Sequence, residues 1–318
     1  MFDSAAPGKI AIRNLPAEVL QALTSLASQR DRSVEGEARH AIRAWVEPQL
    51  RANARPSRAA VVGQRLRYVL DEISEQKPGA PVAPSRIAEA LGWAHAEALE
   101  SWFAGDSEPS FTELSAIASI AGCSSAWLAH GDGQPFPSQY SRIPEDAAKG
   151  TEWLLQPLAD GDAPPSHVLL VRSETEAGAF AIVKRFSAWQ AQAYHTPYHV
   201  SEVIGAGGEA SLAWLTLVFE RLYQRWTRDS ALTVESYLVS EDVFRALLEG
   251  KRHPFNVMRT SRAVATCWWE DLWDETQFRK QQEYWPGWLS LAERMARVVE
   301  GRPPMKAQRD EMRGRAAS

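Results

Sequence analysis

At 318 residues the chain is long enough for two or three domains. A hydrophobic fraction of 45% with thirteen Trp excludes a disordered polymer, and no run approaches the roughly 20 apolar residues of a membrane span. The first nine residues lack the apolar core of a secretion signal, so a cytoplasmic protein with no membrane partner is expected. The net charge of −5 argues against a uniformly basic nucleic-acid binder, but the distribution is uneven. Residues 1–60 hold nine Lys/Arg (Lys9, Arg13, Arg30, Arg32, Arg39, Arg43, Arg51, Arg55, Arg58) against six acids. Residues 61–150 reverse this, with six Lys/Arg against twelve acids. Any electrostatic attraction for DNA therefore belongs to the first sixty residues. Cys123 and Cys267 form neither a CxxC pair nor a zinc spacing, and no cofactor or metal is expected.

Lys9–Arg13 alternates, with Ile10 and Ile12 on one face and Lys9, Ala11 and Arg13 on the other. Asn14-Leu15-Pro16 stops this strand, and Pro16 suits the first turn of a helix. Val19, Leu20, Leu23, Leu26 and Ala27 recur at helical spacing. After the break at 29–32, Ser33 is an N-cap, Glu35 favours the helix dipole, and Val34, Ala38, Ala41, Ile42 and Trp45 make a second stripe that Pro48 closes. A lone strand has unpaired edges, and about forty residues bury too little surface to fold alone. Both difficulties vanish if two copies pair their strands antiparallel and interlock four helices. The resulting ribbon exposes Lys9, Ala11 and Arg13, and fits a major groove.

Ile10-Ala-Ile-Arg-Asn-Leu-Pro16 followed by Gln29-Arg-Asp-Arg-Ser-Val-Glu-Gly-Glu-Ala-Arg39 resembles the FitA-like antitoxin branch of the ribbon-helix-helix superfamily. The resemblance implies an obligate dimer, or a higher even oligomer, on double-stranded DNA. It makes Arg13 the candidate base reader, with Lys9, Ala11 and Asn14 beside it. The amides of Ser33 and Val34 would grip a phosphate at the start of the second helix. It also implies an alternative, an autoregulator that holds a toxin nuclease.

Past the polar, Pro-containing stretch 51–57, a second segment is all-helical. Leu66, Val69, Leu70 and Ile73 mark one helix; shorter helices are expected from Ser85 to Gly92, from Ala94 to Phe103 and from Phe111 to Ala121. Ile87-Ala-Glu-Ala-Leu-Gly92 and Trp127-Leu-Ala-His-Gly-Asp-Gly133 resemble a phage-repressor (Xre-type) helix-turn-helix domain. By position His95, Ala96, Glu97, Glu100 and Ser101 would face a groove, and Arg65, Arg67 and Arg86 would meet phosphates. Yet Glu97, Glu100, Asp106 and Glu108 replace the Arg, Lys, Gln or Asn that usually reads base edges.

The third segment is mixed α/β. Ser166–Arg172 and Ala179–Phe186 read as a strand hairpin, 200–204 as a further strand, 205–208 as a turn, 210–226 as a helix, 232–239 as a strand and Ser240 as the cap of the next helix. His195-Thr-Pro-Tyr-His199 is the sharpest metal-pair candidate, but no carboxylate cluster adjoins it. The Gly205–Gly208 run lacks the Lys-Ser/Thr of a phosphate loop, and no GxSxG or HExxH occurs, so no catalytic residue is expected. The expected fold is thus a multidomain α plus α/β chain. A ribbon-helix-helix domain spans 1–50, a helix-turn-helix domain 58–137, an α/β sensor or oligomerisation domain 150–300 and a flexible basic tail 301–318. The expected function is a dimeric repressor-like regulator; a ligand-binding or enzymatic C-terminal domain is the other alternative.

Overall fold

A computed structural model of the chain describes residues 12–53, 56–76, 81–261, 263–278 and 283–314. It divides into two compact units, Met1–Ser57 and Arg58–Ser318. In the first, α1 (Ala17–Gln29) and α2 (Val34–Asn53) form a helical hairpin. The turn between them is a Schellman motif: Arg32 N–H donates to Ala27 O at 2.9 Å and Asp31 N–H to Ser28 O at 3.4 Å. Asp31 supplies the left-handed residue at φ +53° that this motif needs. Helix α2 does not stop at Pro48 as expected but continues to Asn53.

The second unit begins with five helices: α3 (Arg58–Ser74), α4 (Pro84–Ala90), α5 (Glu97–Ala104), α6 (Phe111–Ala121) and α7 (Ser125–His130). Helix α5 starts three residues later than the sequence suggested. The Val62, Leu66, Val69 and Ile73 stripe of α3 packs with Ile87, Leu99, Trp102, Leu114, Ile117 and Leu128. Gly63 lets α3 approach the end of α5, because a Cβ there would lie 2.7 Å from Trp102 O.

The rest is a six-stranded sheet between helical layers. Its elements are β1 (Gln139–Tyr140), α8 (Ala147–Leu155), β2 (His167–Ser173), β3 (Ala179–Arg185), β4 (Ala191–His199), α9 (Ala206–Trp226), β5 (Thr233–Val239), α10 (Glu241–Glu249), α11 (Pro254–Thr260), β6 (Val264–Thr266), α12 (Trp268–Asp271), α13 (Trp288–Gly301) and α14 (Pro303–Met312). The strand order is β1-β4-β3-β2-β5-β6; β2, β3 and β4 run as an antiparallel meander, and β5 returns parallel to β2 after α9. Alternate residues of β2 serve two cores. Val168 and Leu170 join α9, α12 and α13, while Leu169 and Val171 join α10 and α11. Burial on both faces explains the near-continuous apolar strands.

Several expectations change. The strand placed at 200–204 lies earlier, at Ala191–His199, and residues after Gly205 begin α9 rather than a turn. Ser240 occupies the N-cap position of α10 without a side-chain hydrogen bond. The expected flexible tail contains α14, anchored by buried Met305 and by Arg309 and Arg313 on the buried Glu220 of α9. The helical and α/β segments, expected as separate domains, lie in one unit.

Candidate nucleic-acid interface

Lys9 and Ala11, two of the three residues expected on the ribbon face, lie outside the described residues. Arg13 is exposed, and Asn14 turns the chain with φ +59°, a left-handed conformation that Asn tolerates better than most residues. Pro16 then starts α1, its carbonyl accepting from Val19 and Leu20 N–H at 3.0 and 3.1 Å. In the single chain Ile12 and Arg13 carry no strand pairing.

At the second helix the expected cap is present: Ser33 Oγ accepts Gly36 N–H at 3.0 Å. Val34 is exposed and its amide lies in the first turn of α2, where the helix dipole favours an anion. Sequence reasoning missed the reinforcement of this corner. Glu37 is buried and pairs with Arg30 at 2.7 Å and Arg32 at 3.4 Å, one turn from Ser33. The Arg-x-Arg…Glu spacing across the turn was the available signal.

The apolar stripes of this hairpin are uncovered in the single chain. Ile12, Val19, Leu20, Leu26, Val34, Ile42 and Trp45 are all exposed, Trp45 at 69%. Among the described residues of the unit, Ala27 and Glu37 alone are buried. A hairpin of this kind lacks a core of its own, and each covered side chain contributes on the order of 1–2 kcal/mol.

The helical bundle of the second unit presents a different surface. On α5, Leu99, Trp102 and Phe103 face inward while Glu97 and Glu100 are exposed and Ser101 is half-buried. Ser101 Oγ bonds Ser107 Oγ at 2.7 Å, and His95 stands exposed before the helix. The cations proposed for phosphates are engaged within the chain. Arg65 donates to Leu128 O at 3.1 Å, Arg67 to Phe103 O, and Arg86 pairs with Glu89 at 2.8 Å.

His195 and His199 share β4, on either side of the register shift against β3, and each meets a different partner. His195 Nδ1 lies 3.3 Å from Ser138 Oγ, and His199 Nδ1 lies 3.1 Å from Ala177 O. His199 borders an open cavity of about 630 Å³ with Arg142, whose guanidinium is taken by Glu145 and Ser211. Among the described residues no cluster of three or more His, Cys, Asp or Glu could hold a metal, and no helix is long and apolar enough to cross a membrane.

No significant match to the chain was found among curated proteins or solved structures. The sequence model of the antitoxin FitA-like ribbon-helix-helix family matches residues 9–46, which makes this segment, with α1 and most of α2, a domain of ribbon-helix-helix type.

Proposed function

We propose that the protein is a dimeric, sequence-specific DNA-binding regulator, repressor-like in action, that reads the major groove with a ribbon built from residues 9–13 of two copies. The observation that carries this reading is the family match over residues 9–46. The exposed apolar stripes of α1 and α2 support dimerisation, because a second copy is what such stripes bury against in a four-helix arrangement. Arg13, with Lys9 and Ala11, contacts base edges; Ser33 and Val34 hold a backbone phosphate.

The helical bundle of 58–137, read as a helix-turn-helix domain, contributes little direct grip. Its exposed acids on α5 oppose phosphates, and Arg65, Arg67 and Arg86 already have partners. It serves instead as a scaffold joined to the α/β layer, which acts as the sensing or assembly part.

The test is Arg13→Ala in the full chain. Operator affinity falls by about 1–3 kcal/mol while the melting temperature holds. Unchanged affinity in a mobility-shift assay would remove the ribbon as reader. A second reading follows from the antitoxin character of the matched family: an autoregulator that also holds a toxin nuclease. Co-expression with a neighbouring small nuclease gene, followed by purification, separates the two; a stable complex supports the second.

A further inference from the structure

The C-terminal end of α3 meets the sheet over a cavity of about 440 Å³. Gln76 closes it from the bundle, His167, Arg185 and Glu235 rise from β2, β3 and β5, and Phe255 and Asn256 come from α11. His167 and Arg185 are cross-strand partners, which sets them side by side on one face.

Arg185 is half-buried, and its partners are all neutral oxygens. Nε donates to Ser187 O, and Nη2 to Gln76 Oε1 and Ala188 O, each at 3.0 Å. Its guanidinium carbon sits 4.8 Å from the centre of the Phe255 ring. Among the described residues no carboxylate pairs with it, and Nη1 has no acceptor. Burial holds its pKa below the usual arginine range; burial and the Arg185 charge together lower that of His167. A half-buried cation met only by neutral dipoles is incompletely compensated.

Two neutral groups on the same wall are also unmatched. Gln76 Nε2 is a buried donor and Asn256 Oδ1 a buried acceptor, each without a partner. Asn256 is fully buried, its Nδ2 already held by Glu72. Native folds rarely leave such atoms unmatched. Leu169, Met258 and Phe255 supply an apolar, partly aromatic wall. Glu235, which accepts from Tyr237 Oη at 3.0 Å, sets a negative charge on the β5 side. An apolar wall with a few convergent polar groups is the usual make-up of a small-molecule site.

The geometry points to a binding site for a small aromatic monoanion, its carboxylate on Arg185 and its ring against Phe255. Arg259 also lines the cavity but is paired with Glu75 at 3.7 Å, so Glu235 opposes a second negative charge and a dianion such as phosphate binds less well. The site is independent of the ribbon, and its binding is read without DNA.

The test is calorimetric titration of the full-length protein with benzoate, benzyl alcohol and inorganic phosphate. Benzoate binds saturably in the millimolar range or tighter, about tenfold better than either of the others. Arg185→Gln reduces benzoate affinity about tenfold at an unchanged melting temperature. Should that variant fail to fold, Glu235→Gln is the second probe, and phosphate affinity rises. Absence of saturable benzoate binding, equal binding by a folded Arg185→Gln, or a preference for phosphate over benzoate overturns the proposal.

Discussion

Glu72 has been taken out of water by the packing of α3 on α11, and donors converge on it. Arg252 Nε lies at 2.9 Å, His253 N–H at 2.8 Å and Asn256 Nδ2 at 2.9 Å. Deleting the carboxylate leaves the buried His253 amide unpaired and removes one acceptor from Arg252, while Asn256 Nδ2 keeps the Glu72 carbonyl at 2.6 Å. Glu72→Ala is therefore expected to lower stability by about 2–4 kcal/mol in urea denaturation, while Arg86→Ala, on an exposed pair, stays within about 0.5 kcal/mol. His253 next to it is fully buried. Its Nδ1 accepts Phe255 N–H at 3.3 Å, so the proton sits on Nε2, 3.1 Å from Trp189 O. Burial lowers its pKa from the ordinary 6.5 to about 4. Between those two values the unfolded chain holds a proton that the folded chain refuses, so stability is full above pH 6.5 and falls as the pH drops toward 4. The loss reaches about 3 kcal/mol, and His253→Gln flattens that limb of the pH–stability curve.

Elements with local, strong periodicity are legible in the amino-acid sequence alone. The apolar runs of β2 and β3 are of this kind because they are buried almost throughout, and α9 and β5 because their buried residues recur at the helical and strand periods. Strand β4 is not legible: Pro197 and two His interrupt it. The sheet accommodates Pro197 where the β3–β4 register shifts opposite Phe180. Strands β1 and β6 are two and three residues long and exist only through distant partners. Helix α14 reads as a polar tail because its apolar anchor is little more than Met305, and the partner of its cations, Glu220, lies on a different helix. Truncation after Arg302 would leave Glu220 buried without its cations. The expected loss is about 3–5 kcal/mol by chemical denaturation; a truncated chain of full stability would show that α14 is dispensable. The ribbon candidates Arg13, Ser33 and Val34 are legible from the first segment, whereas the cavity at Arg185 draws on residues scattered between 76 and 263, which no short window contains.

For the whole molecule, charge and exposure divide the labour. The first unit combines a cation excess with uncovered apolar stripes, and the second combines acids on its helical surface with well-filled cores. On the proposed reading, assembly depends on the first unit. Sedimentation equilibrium should show a dimer or a higher even oligomer, and the pair Leu20→Glu with Ile42→Glu should yield monomers whose second unit still melts cooperatively. The most direct measurement is selection of bound DNA from a random pool by the full chain, beside its Arg13→Ala form. The native chain is expected to enrich a short motif in two related copies, and the variant to lose it. An enriched motif that survives Arg13→Ala unchanged, or no enrichment at all, would contradict the proposed reading.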